Sequence, residues 1–267
     1  AATGFGSSSI MCDCEAGLDR YVGPGGDGSF ETPDGRPGVA VLAFAFNKKS
    51  LEKAVASRIG QNVLTCPTTA CYSGLPDAPK DSRIKVGAQL RYFGDGFQIS
   101  KKLGTRRYWR MPVMDGEFLC EDVFGTQKGI GGGNLLVCGG SQADTLAAVR
   151  AAATAINDLE DVIMPFPAGI VRSGSKVGSK YPQLKASTND KWCPTLRGQT
   201  ESELEDGERA VYEIVIDGLT QSAVAKAMQV GLETVASADG ILRVSAGNYG
   251  GKLGPHHFYL HKLQDMA

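Results

Sequence analysis

The chain has 267 residues and a formal net charge of −1, from 28 Lys and Arg against 29 Asp and Glu. This balance excludes a dedicated nucleic-acid-binding protein, which would carry a large basic excess. Hydrophobic residues make up 42% and charged residues 21%, so the chain can bury a sizeable core and is not intrinsically disordered. No run of about 18 apolar residues occurs, so we predict no membrane helix and expect a cytoplasmic protein.

The composition also argues against a structural metal. The seven cysteines are scattered and do not form the paired Cys-x-x-Cys frame of a zinc site, and the three histidines all lie near the C-terminus. The chain begins at Ala1 without Met and without a signal peptide, so we expect a processed or incompletely represented N-terminus.

Hydrophobic periodicity predicts the first elements. Gly38–Asn47 is typical of a buried strand, and the spacing of apolar residues from Ser50 to Leu64 predicts a helix. We expect a further strand over Lys85–Tyr92 and a preceding one over Ser8–Met11. The residues before Ser8 then resemble the tail of a truncated helix, with Gly4 near its C-cap.

The second half repeats this order more completely. Its pattern predicts strand, helix, strand, strand, helix and strand, which is the split βαβ plan of ferredoxin-like folds. In chain order the predicted elements are Gly116–Phe124, Ser141–Leu159, Asp161–Pro167, Ala210–Asp217, Thr220–Ala236 and Ile241–Ala246.

The two halves together predict an α+β protein of two ferredoxin-like lobes from an internal duplication. The lobes are predicted at residues 1–114 and 115–267, and the first lobe lacks its own first strand and helix. The glycine run Gly129–Asn134 does not fit the dinucleotide-binding pattern, because the final glycine and the acidic ribose partner are missing. We predict a bend in or beside a strand there.

Glu213 is the most informative single residue, because a carboxylate is out of place in the apolar run from Val211 to Ile216. On a buried face, desolvation would raise its pKa and let it exchange a proton at a carbonyl or amine centre. A Glu on the solvated face of the strand, beside Asp217, is the alternative interpretation.

The segment after Pro167 brings together small residues, hydroxyl groups and cations, and is followed by another polar group of residues at 187–190. Backbone N–H, hydroxyl and ammonium donors in one place suit an anionic ligand. A long solvated loop is the alternative, but such long connections are uncommon without a function, so we predict a binding loop.

Several strings resemble, in order along the chain, the formylmethanofuran:tetrahydromethanopterin formyltransferase family. They are ETPDGRPGV (residues 31–39), FGDG (93–96), DGEFLCED (115–122), FPAGIVRSGSKVGSK (166–180), ASTND (186–190), YEIVIDGL (212–219) and SAGNYGGKLG (245–254).

The resemblance implies formyl transfer between the amine of methanofuran and N5 of tetrahydromethanopterin, with both coenzymes as substrates and no tightly bound cofactor or metal. It also implies a homo-oligomer, dimeric or tetrameric, and a catalytic carboxyl in the matching strand, which here is Glu213. The net charge and the strings YWRMPVMDGEFLC and LRYFGDGFQIS resemble the bacterial, methylotrophic form, which is the formyltransferase component of a formyltransferase/hydrolase complex and associates with a formylmethanofuran hydrolase.

Motif position and chemistry then suggest the substrate contacts. Cations and hydroxyls suit the anionic coenzyme tails, and aromatic rings suit the furan or pterin walls. The candidate binding residues are Phe93, Gly94, Asp95, Phe166, Pro167, Arg172, Ser173, Ser175, Lys176, Thr188, Asn189, Asp190, Asn248 and Tyr249.

Two alternatives remain open at this point. The chain could be a non-catalytic structural or coenzyme-binding subunit of such a complex. It could also be a Cys-dependent acyltransferase that uses Cys66 or Cys193, although no histidine is close to either in the sequence.

Overall fold

The computed structural model describes residues 1–7, 13–23, 32–247 and 254–267. By its internal contacts the chain forms two compact units, which divide after Lys128. Helices and sheets occur in both units, so the α+β class is confirmed. No helix among the described residues is long and apolar enough to cross a membrane.

The first unit contains three short helices and eight strands among its described residues. Its helices are α1 (Ala2–Gly6), α2 (Lys48–Arg58), which continues as a π-helical turn over Ile59–Val63, and α3 (Gly87–Leu90). Its strands are β1 (Glu15–Val22), β2 (Gly38–Phe44), β3 (Ala70–Cys71), β4 (Arg83–Lys85), β5 (Ile99–Leu103), β6 (Arg106–Val113), β7 (Gly116–Glu121) and β8 (Val123–Gly125).

These strands form three small sheets. Strand β1 pairs antiparallel with β2, β4 pairs with β8, and a four-stranded sheet has the order β3-β7-β6-β5. Helix α2 begins where Asn47 accepts a hydrogen bond from the backbone N–H of Ser50, and its apolar face packs with Phe5, Met111 and Phe118 in one core.

The second unit has the complete split βαβ order. Its elements are β9 (Ile130–Gly139), α4 (Gln142–Asn157), β10 (Val162–Ile163), β13 (Ala210–Gly218), α5 (Gln221–Ala236) and β14 (Ile241–Ser245), with the short hairpin β11 (Lys176–Val177) and β12 (Ala186–Ser187) between β10 and β13. The sheet order β10-β13-β9-β14 is that of a ferredoxin-like fold.

Both helices of this unit start at a residue whose hydroxyl caps the first turn. Ser141 accepts from the N–H of Asp144 and Thr220 from the N–H of Ala223, each at 3.1 Å. Their apolar stripes cover one face of the sheet, which places the main core between α4, α5 and strands β9 and β13. The predicted elements of this unit are thus confirmed from Ser141 onward.

The predicted strand Gly116–Phe124 is present as β7 and the start of β8, but its predicted place in the fold is wrong, and the predicted strand Lys85–Tyr92 is wrong beyond Lys85. Gly116–Phe124 does not lead the second lobe, because its residues form a hairpin with β6, Val113 opposite Gly116, and then β8 in the first unit; β9 leads instead. Lys85–Tyr92 is not a strand beyond Lys85. The backbone N–H groups of Val86 and Ala88 both donate to the Asp122 carbonyl, which turns the chain into α3.

Further observations concern the positions of the strands. The two compact units divide after Lys128, because β7 and β8 pair with strands of the first unit, while the lobe boundary after residue 114 stays a prediction. The strand expected over Ser8–Met11 lies outside the described residues, and the strand that pairs with β2 is Glu15–Val22, which the pattern did not predict. Strand β2 itself ends at Phe44, earlier than predicted.

Candidate active site

Strand β13 has two buried faces of different character. Tyr212, Ile214 and Ile216 face helices α4 and α5 and belong to the main core. Because side chains alternate along a strand, Glu213 and Asp217 lie on the opposite face. The two carboxylates are 1% and 0% exposed, so the interpretation of Glu213 as a solvated residue is wrong.

Glu213 is held by a neutral neighbour from β9. The side-chain amide of Asn134 donates from Nδ2 to Glu213 Oε1 at 2.8 Å, and Asn134 Oδ1 accepts from the backbone N–H of Gly247 at 2.9 Å. The other carboxylate oxygen, Oε2, is buried and has no donor in hydrogen-bonding geometry among the described residues. Glu213 therefore has one fixed oxygen and one that can accept a further partner.

Burial raises the pKa of Glu213 above its ordinary value, because the charged form loses its hydration. The Asn134 amide and the hydroxyl and N–H of Ser175, which approaches the carboxyl, stabilise the charged form and offset part of this effect on the pKa. The net result is a carboxyl that holds its proton more tightly than a solvated Glu. A carboxyl with a raised pKa is suited to general acid–base chemistry.

The glycine run before Asn134 shapes β9 at the second carboxylate. Strand β9 continues through it, with Gly132 at φ +91° and a register shift against β13 between Ile216 and Gly218. The N–H of Gly132 donates to Asp217 Oδ1 at 3.0 Å. The predicted bend in a strand is confirmed as a bulge that Asp217 holds.

The segment after Pro167 returns to the edge of β13. Val171 and Glu213 exchange both backbone hydrogen bonds, at 2.7 and 3.0 Å. This two-way bridge fixes the start of the predicted binding loop beside the carboxylate, and it explains why Ser175, four residues on, lies near Glu213.

A second polar segment holds this loop in place. The Ser173 carbonyl accepts from the N–H of Asn189 and from the hydroxyl of Thr188, and Asn189 Nδ2 donates to the Ser175 carbonyl at 3.2 Å. Gly174 has φ +68°, and a Cβ there would lie 2.6 Å from Asn189 Cβ. The close approach of the two segments therefore requires glycine at 174.

The structure separates the predicted binding residues into three groups. Ser173, Ser175, Lys176, Thr188, Asn189 and Asp190 lie together in the second unit, where Lys176 and Asp190 form an ion pair at 2.5 Å. Arg172 and Pro167 are exposed and Phe166 is half-buried in the same unit. Phe93, Gly94 and Asp95 belong to the first unit, with Phe93 exposed, and Asn248 and Tyr249 lie outside the described residues.

Asn134 is the site residue that the sequence analysis missed. Its signal was present, since Asn134 is a polar residue followed directly by the apolar run Leu135–Cys138, in the same way that Glu213 interrupts β13. Only the register of β9 against β13, in which Asn134 is opposite Val215, brings the two interruptions together as diagonal neighbours.

The thiol alternative gains no support from the geometry. Cys193 Sγ lies 3.4 Å from the Asn189 carbonyl and 3.6 Å from the Thr188 hydroxyl, and neither group can act as a general base. The six cysteines in the described part of the chain are free thiols. Within the same described ranges, no group of three or more His, Cys, Asp or Glu side chains could hold a metal ion.

Comparison with known families identifies the chain. Residues 1–113 match the model described as formylmethanofuran-tetrahydromethanopterin formyltransferase, and residues 116–263 match the model described as the proximal lobe of the same protein. The chain belongs to this formyltransferase family. It is an acyltransferase of one-carbon metabolism, as the resemblance in the sequence implied.

Known relatives agree over nearly the whole chain. It is 54% identical over 266 residues to formylmethanofuran–tetrahydromethanopterin formyltransferase of Methylococcus capsulatus, covering 98% of this chain and 87% of that protein. It is 48% identical to a subunit of the formyltransferase/hydrolase complex of Methylorubrum extorquens, covering 98% of this chain and 84% of that subunit.

A solved structure supports the fold. The crystal structure of the formyltransferase/hydrolase complex of Methylorubrum extorquens with methylofuran contains a chain 47% identical to this one, with a TM-score of 0.88 over 98% of this chain and 86% of that chain. The likeness to the methylotrophic form of the family is confirmed.

Proposed function

We propose that Glu213 carries the proton in formyl transfer between methanofuran and N5 of tetrahydromethanopterin. The observation that carries the proposal is the state of this carboxyl. It is 1% exposed, its Oε1 is held by Asn134, and its Oε2 is left for a reacting group. A pKa raised by burial suits a group that must accept and release the same proton in one cycle.

The reaction needs one proton to change nitrogen atoms. The acceptor amine attacks the formyl carbon, a C–N bond forms, and the carbonyl π electrons move to oxygen in a tetrahedral intermediate. The attacking nitrogen gives its proton to Glu213 Oε2. Collapse of the intermediate re-forms the carbonyl and breaks the other C–N bond, and the leaving nitrogen takes the proton from Oε2. The carboxyl ends in its starting state.

The polar loop supplies the binding functions in this proposal. Arg172 is exposed on the segment that leads to Ser175, so its guanidinium can meet an anionic coenzyme tail. Phe166 offers a ring wall at the start of the same segment. Thr188, Asn189 and the Lys176–Asp190 pair already bond within the loop, so we assign them to holding its shape rather than to direct contact.

The test is formyl exchange between the purified coenzymes with Glu213→Gln, which keeps an acceptor for the Asn134 amide. We expect kcat to fall about 10²–10⁴-fold, because general acid–base catalysis contributes that much, while calorimetric affinities for both coenzymes stay within a few-fold. Glu233→Gln, at an exposed carboxylate on α5, is the matched control and should leave kcat unchanged. An unchanged kcat in Glu213→Gln would disprove the shuttle.

The assembly of this chain is part of the same proposal. Because a relative is a subunit of a formyltransferase/hydrolase complex, we propose that this chain binds a formylmethanofuran hydrolase. The homo-oligomer that the resemblance to the family implies is the second part of this proposal. Light scattering of the pure protein and co-purification with the hydrolase test the two contacts separately. A wild-type chain that binds coenzymes and hydrolase but transfers no formyl group would indicate a non-catalytic subunit.

A further inference from the structure

We propose that Asn134 is a positioning residue that fixes the Glu213 carboxyl and tunes its affinity for the transferred proton. The inference rests on the shuttle role proposed above. Asn134 is 5% exposed, and the described contacts engage both ends of its amide, with Nδ2 donating to Glu213 and Oδ1 accepting from the Gly247 N–H. A side chain in this position connects the carboxylate to the end of β14.

The orientation of the Asn134 amide follows from its partners. The Gly247 N–H can only donate, so it requires the amide oxygen, and the NH₂ group must then face the carboxylate. The reversed amide would place two oxygens together at Glu213 and two donors together at Gly247. Gly247 therefore decides which end of Asn134 meets Glu213.

This arrangement has two consequences for the carboxyl. The bond to Oε1 leaves Oε2 as the oxygen that exchanges the proton. A donor on Oε1 also favours the ionised form, so it lowers the pKa of Glu213 against the larger effect of burial, which raises it.

Charged side chains on the neighbouring elements do not set the pKa of Glu213. Among the described residues, burial and the groups of Asn134 and Ser175 account for the pKa of Glu213, with no contribution from a charged side chain. The charged and titratable groups on these elements have contacts of their own: Asp217 on β13 with Gly132, Arg243 on β14 with Glu208, Cys138 on β9 with Glu208, and Lys176 with Asp190 on the loop.

The test is the pH dependence of kcat/KM in two variants. Asn134→Leu removes the donor at similar volume, and we expect the limb that reports Glu213 to move upward by about one to two pH units. Removing the hydrogen bond from Asn134 destabilises the ionised carboxylate and therefore raises the pKa of Glu213. The expected direction is the same whether catalysis starts from the ionised or from the protonated carboxyl. Asn134→Asp places a second carboxyl against the first and should move the limb further upward.

Asn62→Leu is the matched control. Asn62 is a partly buried asparagine of the first unit whose amide donates to the Arg58 carbonyl, so its loss tests a structural bond without a carboxylate. We expect its pH profile to match that of wild type. Folding is checked by circular dichroism, and the near-isosteric Asp variant provides the result if the Leu variant unfolds.

The outcomes separate this inference from the proposed function. An unshifted limb in a folded Asn134 variant, with Glu213→Gln inactive, would overturn the role of Asn134 and leave the shuttle standing. A limb that persists in an active Glu213→Gln variant would overturn the shuttle and, with it, this inference. A shifted limb together with an inactive Glu213→Gln supports both.

Discussion

Glu208 and Glu213 are two carboxylates of the same unit, 3% and 1% exposed, with opposite surroundings. Glu208 receives two hydrogen bonds from the Arg243 guanidinium, at 2.7 and 2.8 Å, and one from the N–H of Glu205. Glu213 is approached by neutral groups, the amide of Asn134 and the hydroxyl and N–H of Ser175. The two carboxyls are thus equally buried, but Glu208 forms an ion pair with Arg243 and Glu213 has no cation beside it among the described contacts.

The partners decide what each carboxyl can do. Burial raises the pKa of Glu208, but the donors from Arg243 and Glu205 outweigh it and hold that pKa below its ordinary value. At Glu213 burial dominates and the pKa is raised. Glu208 remains ionised and holds the segment before β13 against β14, whereas Glu213 is the carboxyl proposed above to carry the proton. Burial alone therefore does not identify a candidate general acid, and the charge of the neighbouring groups has to be considered with it.

The largest effect on stability is expected at Glu208. Glu208→Gln leaves the Arg243 guanidinium, whose side chain is 25% exposed, without its bidentate partner. We expect the free energy of unfolding to fall by about 2–3 kcal/mol, less than for a fully buried pair because water reaches Arg243. Urea unfolding measures this. The Glu213-dependent limb of the pH–rate profile should stay in place.

A second variant identifies the origin of that loss. Adding Arg243→Met to Glu208→Gln removes the guanidinium, which in the single variant keeps only the more distant Glu205 carboxylate at 3.5 Å as a charged partner, so part of the stability should return. Recovery is incomplete, because Arg243 also donates to the Glu203 carbonyl and lies over the Trp192 ring at 5.1 Å. A double variant less stable than Glu208→Gln would show that these other contacts of Arg243, rather than its charge, set the cost.

Glu213→Gln should change stability in the opposite direction. The folded-state pKa of Glu213 lies above the unfolded value of about 4.3, so wild type loses stability as pH rises from there through the folded pKa. The Gln variant carries no such penalty. We expect its Tm to exceed that of wild type at pH 8, where the wild-type carboxyl bears the cost of ionisation in a buried site.

The pH dependence is the check on that expectation. At pH 4 the wild-type carboxyl is mostly protonated in the folded state, so the difference in Tm between the two proteins should nearly vanish. A difference in Tm that is constant from pH 4 to pH 8 would mean that Gln packs better for reasons unrelated to charge. A lower Tm at pH 8 would contradict the raised pKa.

The same contrast explains what the sequence could predict. Helices α4 and α5 and strand β13 follow from local periodicity and caps at Ser141 and Thr220, which one stretch of chain contains by itself. Glu213 was also predictable, because a carboxylate inside an apolar strand is unusual. The partner that distinguishes it from Glu208 was not, since Asn134 meets it only through strand register.

The wrong predictions from sequence share this cause. The local sequence of Gly116–Phe124 predicts a strand, but it does not show whether that strand begins a new lobe or pairs with β6. In the structure it pairs with β6 in a hairpin. At residues 188–190 the binding role stays a prediction; what the sequence does not reveal there is that Thr188 and Asn189 also hold the backbone of Ser173 and Ser175. Such long-range contacts depend on the fold and leave no local pattern in the sequence.

The smallest effect is expected where the Arg–carboxylate contact occurs without burial. In the first unit Arg110 donates to Glu117 through Nε at 2.7 Å and through Nη2, but the two side chains are 43% and 46% exposed. Water solvates either charge when the other is removed, so Glu117→Gln should change the free energy of unfolding by less than about 0.5 kcal/mol. Urea unfolding beside Glu208→Gln makes the comparison direct. Both Arg110 donors reach Glu117 Oε2. A loss at Glu117 as large as that at Glu208 would show that the Arg–carboxylate contact itself, and not the burial of its charges, determines the cost of breaking it.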